Sequence, residues 1–288
     1  GKEPQFYAMF LLSVTGLMGM TVAGDAFNLY VLLEVASLSG YALVAMGEKR
    51  RASVAAFNYI IMGTIGASFY LLGVGYLYLK TGSLNMVGIQ EIIAEQGLQG
   101  SKTIQIAFIL ILLGVWIKMA FFPLYGWLPN AYSYSPSSSA CLLAPLVTKV
   151  SIYVMIRMML TVFGPVYVFS TLDWGQVVVW LATIAIVVAS LIALSQTDLK
   201  KMLSYLIIAE VGYMVGGAWM ANHYGMVGAI YHIFSDAFMT LCLFLAASVL
   251  INQRHPLWFV LKRLVMAILL LSTVSRARYR LKTMSLMI

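Results

Sequence analysis

The stretch TIQIAFILILLGVWIKMAFFP, residues 103–123, shows in which solvent this protein folds. Its apolar run is long enough to cross a lipid bilayer as a helix, for which about 20 mostly apolar residues suffice. Two residues break the pattern, because Lys118 places a charge inside the run and Pro123 follows it. Proline removes a backbone hydrogen bond from a helix. The stretch therefore predicts a membrane helix that is interrupted beside a buried lysine.

The rest of the chain shares this apolar character. Of its 288 residues, 62% are hydrophobic and 10% are charged, and the mean hydropathy is +0.92, which is too apolar for a soluble domain. We predict an all-α protein that crosses the cell (inner or plasma) membrane many times, with lipid as its surroundings. The predicted spans are 5–23, 26–46, 52–79, 103–122, 137–162, 174–196, 199–219 and 224–250, with a doubtful ninth at 257–274.

The net charge of +8 comes from Lys and Arg residues that sit in short clusters between the spans, such as residues 49–51. Such clusters act as topology signals and mark the cytoplasmic side, so we do not expect nucleic acid as a partner. Thr197 and Asp198 are predicted to cap the helix that follows them. This would leave Lys200 and Lys201 solvated at the membrane surface.

Glu34, Lys118 and Lys149 are charged residues that lie well inside three of the predicted spans. A charge at the centre of a membrane helix costs about 2.5–3.5 kcal/mol, so each of them should meet a partner or water. Burial lowers the proton affinity of a lysine, and a nearby carboxylate raises it. A buried lysine can therefore be switched between its two protonation states, as a proton relay requires. Structural ion pairs, or snorkelling of Lys118 to the surface, remain open alternatives. Pro145, one turn before Lys149, predicts a second helix break.

A second polar set, Glu210, His232 and Asp236, lies in the spans at 199–219 and 224–250. His232 and Asp236 are spaced i,i+4, which places them on one helix face. Histidine titrates near neutral pH and an adjacent carboxylate tunes it, so this set suits a proton shuttle. A hydrogen-bonded pair that only packs helices is an equal alternative.

Motifs of several enzyme classes are missing from the sequence. It has no GxGxxG motif after a strand, no Walker loop, no nucleophile elbow and no HExxH motif. Cys141 and Cys242 lie in apolar stretches without a second ligand at metal-binding spacing. We therefore predict no catalytic residue, no metal site and no cofactor in this chain.

Several ordered motifs point to a family. They are DAFNLYVLLE at 25–34, WIK at 116–118, FPLYGWLPNAY at 122–132, LVTK at 146–149, and QTDLKKMLSY with VGY within 196–213. In this order they resemble the antiporter-like, proton-translocating membrane subunits of complex I and of Mrp cation/proton antiporters. The resemblance is closest to the D-type subunit of the Mrp antiporters and to membrane-bound hydrogenase modules.

The resemblance implies an inverted-repeat fold in which each repeat holds a half-channel around a broken helix. Glu34 then takes the role of the carboxylate that pairs with Lys118 of the broken helix. Lys149 matches the lysine that links the two half-channels, and His232 matches the histidine that follows it in the polar axis. Taking these residues together with the second polar set, we predict a proton or cation path of Glu34, Lys118, Lys149, Glu210, His232 and Asp236, with helix breaks at Pro123 and Pro145.

The sequence departs from the family pattern in three places. Tyr125 stands where many members have His, and Asp236 and Thr240 stand where relatives often have His and Lys. After about Ile251 the resemblance stops, and a basic run follows at 276–280. We therefore expect a complete first repeat at 1–164, a partial second repeat at 165–251 and a divergent basic segment at 252–288.

We predict a proton-translocating integral membrane subunit of a multisubunit antiporter or a complex I-like respiratory complex, with exchange of H⁺ for Na⁺ left open. Its partners would be other membrane subunits, which we expect to cover Glu210 or Asp236 on a lipid-facing side. Whether the chain is part of an enzyme, such as a NADH/quinone- or hydrogenase-linked translocase, also stays open. The alternative is a structural membrane subunit whose buried charges only fix helix packing and partner contacts.

Overall fold

The computed structural model describes residues 3–172 and 174–253, with side chains described through Ile251, and these residues are almost entirely helical. Each of the eight clear predicted spans coincides with a helix, and two short helices, α4 and α6, were not predicted. The helices are α1 Glu3–Val22, α2 Ala26–Ala45, α3 Arg50–Thr81, α4 Met86–Glu95, α5 Lys102–Lys118, α6 Leu128–Tyr134, α7 Ser137–Arg157, α8 Gly175–Ser195, α9 Leu199–Ala218 and α10 His223–Gln253.

Six of the helices in the described part are long and apolar enough to cross a membrane. They are α1, α2, α3, α7, α8 and α10. A π-helical turn extends α7 to Val162. The two other predicted spans are helical as well, but α5 has 17 residues and α9 carries three charged residues. The predicted ninth span at 257–274 and the basic run at 276–280 lie outside the described residues.

The membrane helix that carries Lys118 is interrupted where this lysine stands. Helix α5 ends at Lys118, and regular helix resumes only at Leu128, the first residue of α6. Trp127, just before α6, donates from Nε1 to the carbonyl of Ile117 over 2.9 Å. The predicted break between Lys118 and Pro123 is confirmed, and the chain after it folds back onto the last turn of α5.

The second predicted break is wrong. Helix α7 runs continuously from Ser137 to Arg157 with Pro145 inside it. Proline has no N–H to donate, so the carbonyl of Cys141 loses its usual helical donor. Helices α1, α5 and α9 all pack against α7, and such enclosure by protein lets a membrane helix continue through a proline.

Polar side chains fix several helix starts. Asp25 caps α2 and Asn85 caps α4, and each side chain accepts hydrogen bonds from two N–H groups of its own helix. The same two residues face each other in an isolated antiparallel bridge, which ties both helix starts together. Asp198 accepts a hydrogen bond from the N–H of Lys201 over 3.0 Å, so the predicted cap of α9 is confirmed.

Small residues let neighbouring helices approach closely. A Cβ added at Gly114 of α5 would lie 2.5 Å from the carbonyl oxygen of Gly66 of α3, and one at Gly16 of α1 would lie 2.6 Å from the backbone nitrogen of Ala36 of α2. Such contacts are typical of helix pairs in membranes. Since α3 also packs against α2, the crossing of α3 and α5 brings the end of α5 towards α2.

The chain divides into two compact units, residues 1–245 and residues 246–288. The first unit contains α1 to α9 and most of α10, and it holds every side chain of the candidate site. In the second unit the structure describes only the end of α10. The division into repeats at 1–164, 165–251 and 252–288 stays a prediction.

Candidate functional site

Lys118 reaches α2 from the last turn of α5, where it is 6% exposed. Its Nζ lies 2.7 Å from Oγ of Ser37 and 3.3 Å from the hydroxyl oxygen of Tyr41. Oε1 of Glu34 lies 3.5 Å from the same nitrogen. The predicted proximity of Glu34 and Lys118 is therefore confirmed, although the ammonium group is closer to a serine than to the carboxylate.

One face of α2 supplies all three oxygens around Lys118. Glu34, Ser37 and Tyr41 are spaced by three and then four residues, so they stack along the helix. Ser37 donates its own proton to the carbonyl of Leu33 over 2.6 Å, and it therefore meets Lys118 as an acceptor. Sequence reasoning missed Ser37 and Tyr41, although their spacing from Glu34 was a signal that could have found them.

The second buried lysine forms a tighter ion pair. Nζ of Lys149 in α7 lies 2.6 Å from Oδ2 of Asp236 in α10, and both residues are 3% exposed. Thr240, one turn further along α10, donates from Oγ1 to the other carboxylate oxygen over 3.1 Å. A buried charge pair of this kind requires hydrogen bonds to its remaining oxygens, and Thr240 supplies one.

His232 meets a carboxylate from a different helix. Its Nε2 lies 2.5 Å from Oε2 of Glu210 in α9. The sequence predicted Asp236 as the carboxylate beside the histidine, whereas the structure brings Glu210 to His232 and Asp236 to Lys149. The i,i+4 spacing correctly placed His232 and Asp236 on one helix, but packing between helices decides which groups they meet.

The acidic members of the site are turned inward. Glu210 is 8% exposed and Asp236 is 3% exposed. The prediction that one of them would face lipid and need a neighbouring subunit as cover is therefore wrong. Both carboxylates have a basic partner inside the protein, which avoids the cost of an ionised group in lipid.

Two further buried polar groups lie close to the lysines in the sequence. Nε1 of Trp116 and Oγ1 of Thr148 make no hydrogen bond with any residue in the described ranges. Trp116 precedes Lys118 by two residues, and Thr148 directly precedes Lys149. Buried polar groups are rarely left without a partner, and ordered water commonly supplies it. The continuous polar axis from Lys118 through Lys149 to His232 stays a prediction.

Lys200 differs from the prediction of a solvated side chain. It is 8% exposed, and its Nζ donates to the carbonyl of Ser135 over 3.2 Å. Ser135 follows α6 directly, so the first turn of α9 is tied to the segment that continues from the interrupted helix. The cap at Asp198 predicted where α9 begins but not which of its faces is buried.

The known family that matches this chain covers every residue of the site. The family described as NADH:quinone oxidoreductase/Mrp antiporter, transmembrane, matches residues 23–276. The chain belongs to this family. Because the match continues to residue 276, the expectation that the resemblance stops near Ile251 is wrong. The predicted all-α, multi-pass protein of the cell membrane is confirmed.

Named relatives come from both branches of the family. The N-type subunit of the NADH-quinone oxidoreductase of Desulforudis audaxviator is 46% identical over 250 residues, which are 86% of this chain and 48% of the relative. The D-type subunit of the Na(+)/H(+) antiporter of Bacillus subtilis is 32% identical over 253 residues, which are 87% of this chain and 50% of the relative. The expected likeness to the D-type subunit above all others is corrected, since the N-type relative is more similar.

A solved structure supports the same fold. In the Mrp complex from Dietzia sp., one chain matches with a TM-score of 0.76 at 23% identity, over 83% of this chain and 44% of that chain. The likeness confirms the antiporter-like helical fold. This chain spans about half the length of the curated relatives it matches.

Proposed function

We propose that this chain is a proton-translocating membrane subunit of a larger complex and that its buried lysines carry the proton. The observation behind the proposal is that two lysines are buried beside carboxylates from other helices. Lys118 lies 3.5 Å from Glu34 and Lys149 lies 2.6 Å from Asp236. A third pair joins Glu210 of α9 to His232 of α10.

The two lysine pairs differ in a way that suits a relay. Lys118 shares its ammonium group among Glu34, Ser37 and Tyr41, so no single partner holds it. Lys149 forms a short pair with Asp236 in a fully enclosed place. The contacts of Lys118 are therefore divided among three oxygens, whereas Lys149 is paired with one carboxylate, and the proposed relay passes a proton between these two differently held lysines.

Hydration would connect these groups. Trp116 and Thr148 offer buried polar atoms on the same two helices as the lysines. Water held by such atoms can bridge polar groups nearly as well as a direct hydrogen bond. Proton movement from Lys118 to Lys149 is proposed to run through such bridges.

The relatives support the assignment to a complex. Their names state that one is a subunit of an NADH-quinone oxidoreductase and the other a subunit of a Na(+)/H(+) antiporter. We infer that this chain likewise works beside other membrane subunits and that H⁺ is the transported ion. Whether H⁺ is exchanged for Na⁺ is a question for the experiment.

The test is proton flux through the purified complex in sealed vesicles, recorded with a pH-sensitive dye. Lys118→Met and Lys149→Met should each abolish flux while the complex still assembles. The matched control is Lys102→Met, which removes an exposed lysine at the start of α5. Normal flux in both buried-lysine variants would favour a structural subunit instead. A Na⁺ gradient that drives proton movement would identify exchange, and the isolated chain should show no flux.

A further inference from the structure

The three oxygens around Lys118 are not chemically equivalent. The Ser37 hydroxyl donates to the carbonyl of Leu33, and an ionised Glu34 has no proton to give. In this arrangement Ser37 accepts a hydrogen bond from Lys118, and Glu34 is the ion-pair partner of that lysine. The Tyr41 hydroxyl can accept or donate, because it accepts from Lys118 at 3.3 Å and its own proton can rotate between neighbours.

This difference matters when Lys118 loses its proton. An ammonium group has three N–H donors. Two of them reach the hydroxyl oxygens of Ser37 and Tyr41, and Oε1 of Glu34 lies 3.5 Å from the nitrogen as an ion-pair partner. A neutral amine has a lone pair in place of one donor, and this lone pair needs a donor from outside. Of the two hydroxyl groups that α2 presents, the phenolic one of Tyr41 is the more acidic, and it can supply this donor while Ser37 keeps its bond to the carbonyl of Leu33.

The position of Tyr41 also places it on the side from which a proton would arrive. It lies about one turn from the end of α2, next to the basic residues 49–51, whereas Glu34 lies about two turns deeper. The basic cluster predicts the cytoplasmic side there. Along α2, Tyr41 therefore lies nearer to that surface than Glu34 does.

The surroundings hold the tyrosine ring in place. Its ring meets that of Tyr59 edge to face, with centroids 4.5 Å apart, and Tyr59 stacks on Trp127. Gly63 leaves room for the Tyr41 hydroxyl, since a Cβ at that position would collide with its oxygen. The titratable groups that face this hydroxyl are Lys118 of α5, Glu34 of its own helix and Tyr59 of α3.

We propose that Tyr41 is the residue that delivers protons to Lys118 from the cytoplasmic side, an inference that rests on the function proposed above. The Tyr41 hydroxyl proton passes to the Lys118 amine as the phenol oxygen takes up a proton from a hydronium ion that arrives from the cytoplasmic side. Two O–H bonds break, one in the tyrosine and one in the hydronium ion, while one N–H bond and one new O–H bond form. The hydronium ion becomes water, the amine becomes an ammonium group, and the tyrosine is neutral before and after. Ser37 positions the amine for this transfer by holding it 2.7 Å away.

The first test is Tyr41→Phe in the assembled complex, measured as proton flux into sealed vesicles. The ring and its contact with Tyr59 remain, so the fold should persist, and flux should fall by at least about tenfold. The matched control is Tyr70→Phe, which removes another buried hydroxyl, one that donates to the carbonyl of Ala26. Its flux should stay within about twofold of the parent.

The second test separates proton delivery from a packing role. A fluorinated tyrosine at position 41 keeps the hydroxyl group and the shape of the ring but is a more acidic phenol. If the phenol donates the proton, a more acidic phenol should change the rate and shift the pH–rate profile, whereas a residue that only packs should leave both unchanged. This variant also decides the question if Tyr41→Phe fails to assemble.

The outcomes keep the two proposals apart. Loss of flux in Lys118→Met, with Tyr41→Phe equal to Tyr70→Phe and an unshifted profile for the fluorinated residue, refutes the role of Tyr41 and leaves the proposed function standing. Full flux in Lys118→Met refutes both. Loss of flux in Tyr41→Phe together with the shifted profile supports the inference.

Discussion

Replacing Lys149 by methionine should destabilise the protein by about 3–5 kcal/mol, because Asp236 would remain buried without its partner. The two atoms of the pair are 2.6 Å apart. At an effective dielectric constant of about 20, unit charges at this distance attract each other by about 6 kcal/mol before desolvation is counted. Asp236→Asn should cost a similar amount, since Lys149 would then be the unpaired charge.

The double variant Lys149→Met/Asp236→Asn should be more stable than either single variant, because no buried charge is left without a partner. The pair Glu34 and Lys118 provides the comparison. At 3.5 Å its attraction is about 5 kcal/mol on the same scale, so distance alone hardly separates the two pairs. The Glu34 side chain is 24% exposed and Lys118 keeps Ser37 and Tyr41, so Glu34→Gln should cost clearly less than Asp236→Asn.

The measurement is equilibrium unfolding in mixed micelles, followed by tryptophan fluorescence, for the parent, the single variants and the double variant. Lowering the pH should recover part of the loss in Lys149→Met, where protonation removes the uncompensated charge, but not in Asp236→Asn. If the loss of unfolding free energy in the double variant equals the sum of the losses in the two single variants, the two groups do not interact energetically. That result would refute the argument from the 2.6 Å pair.

Two further predictions concern packing and the interrupted helix. Gly114→Ala should destabilise by about 1–3 kcal/mol, since its methyl group would lie 2.5 Å from a backbone oxygen of α3, whereas Gly75→Ala meets no atom and should be neutral in the same unfolding assay. Lys200→Met should cost about 1–3 kcal/mol because the carbonyl of Ser135 loses its donor, and a cost equal to that of Lys201→Met would contradict this account.

Much of the fold follows from hydropathy, because a lipid environment permits few backbone arrangements. Apolar runs of sufficient length become helices, and all eight clear spans do so. The break after Lys118 was readable from Pro123, which Gly126 and Pro129 follow in the sequence. The same reasoning failed at Pro145. A proline in the sequence indicates that one helical hydrogen bond is lost, but it does not show that α1, α5 and α9 pack against α7 and keep it intact.

The charged residues of the candidate site were predictable for a related reason. A charge inside an apolar run stands out in any sequence, and Glu34, Lys118 and Lys149 were found in this way. Their exact partners depend on which helix faces turn toward each other. Sequence spacing does not contain that information, so Asp236 was assigned to the wrong basic group and Ser37 was overlooked as an ordinary small residue.

The close contact between α3 and α5 at Gly66 and Gly114 restricts how the end of α5 that carries Lys118 can move. Gly66 and Gly114 already bring the two backbones into contact, so α5 has no free space to slide or tilt toward α3. The Lys118 side chain can still change its partners by rotation about its own bonds, which takes picoseconds to nanoseconds, without any movement of α5 toward α3.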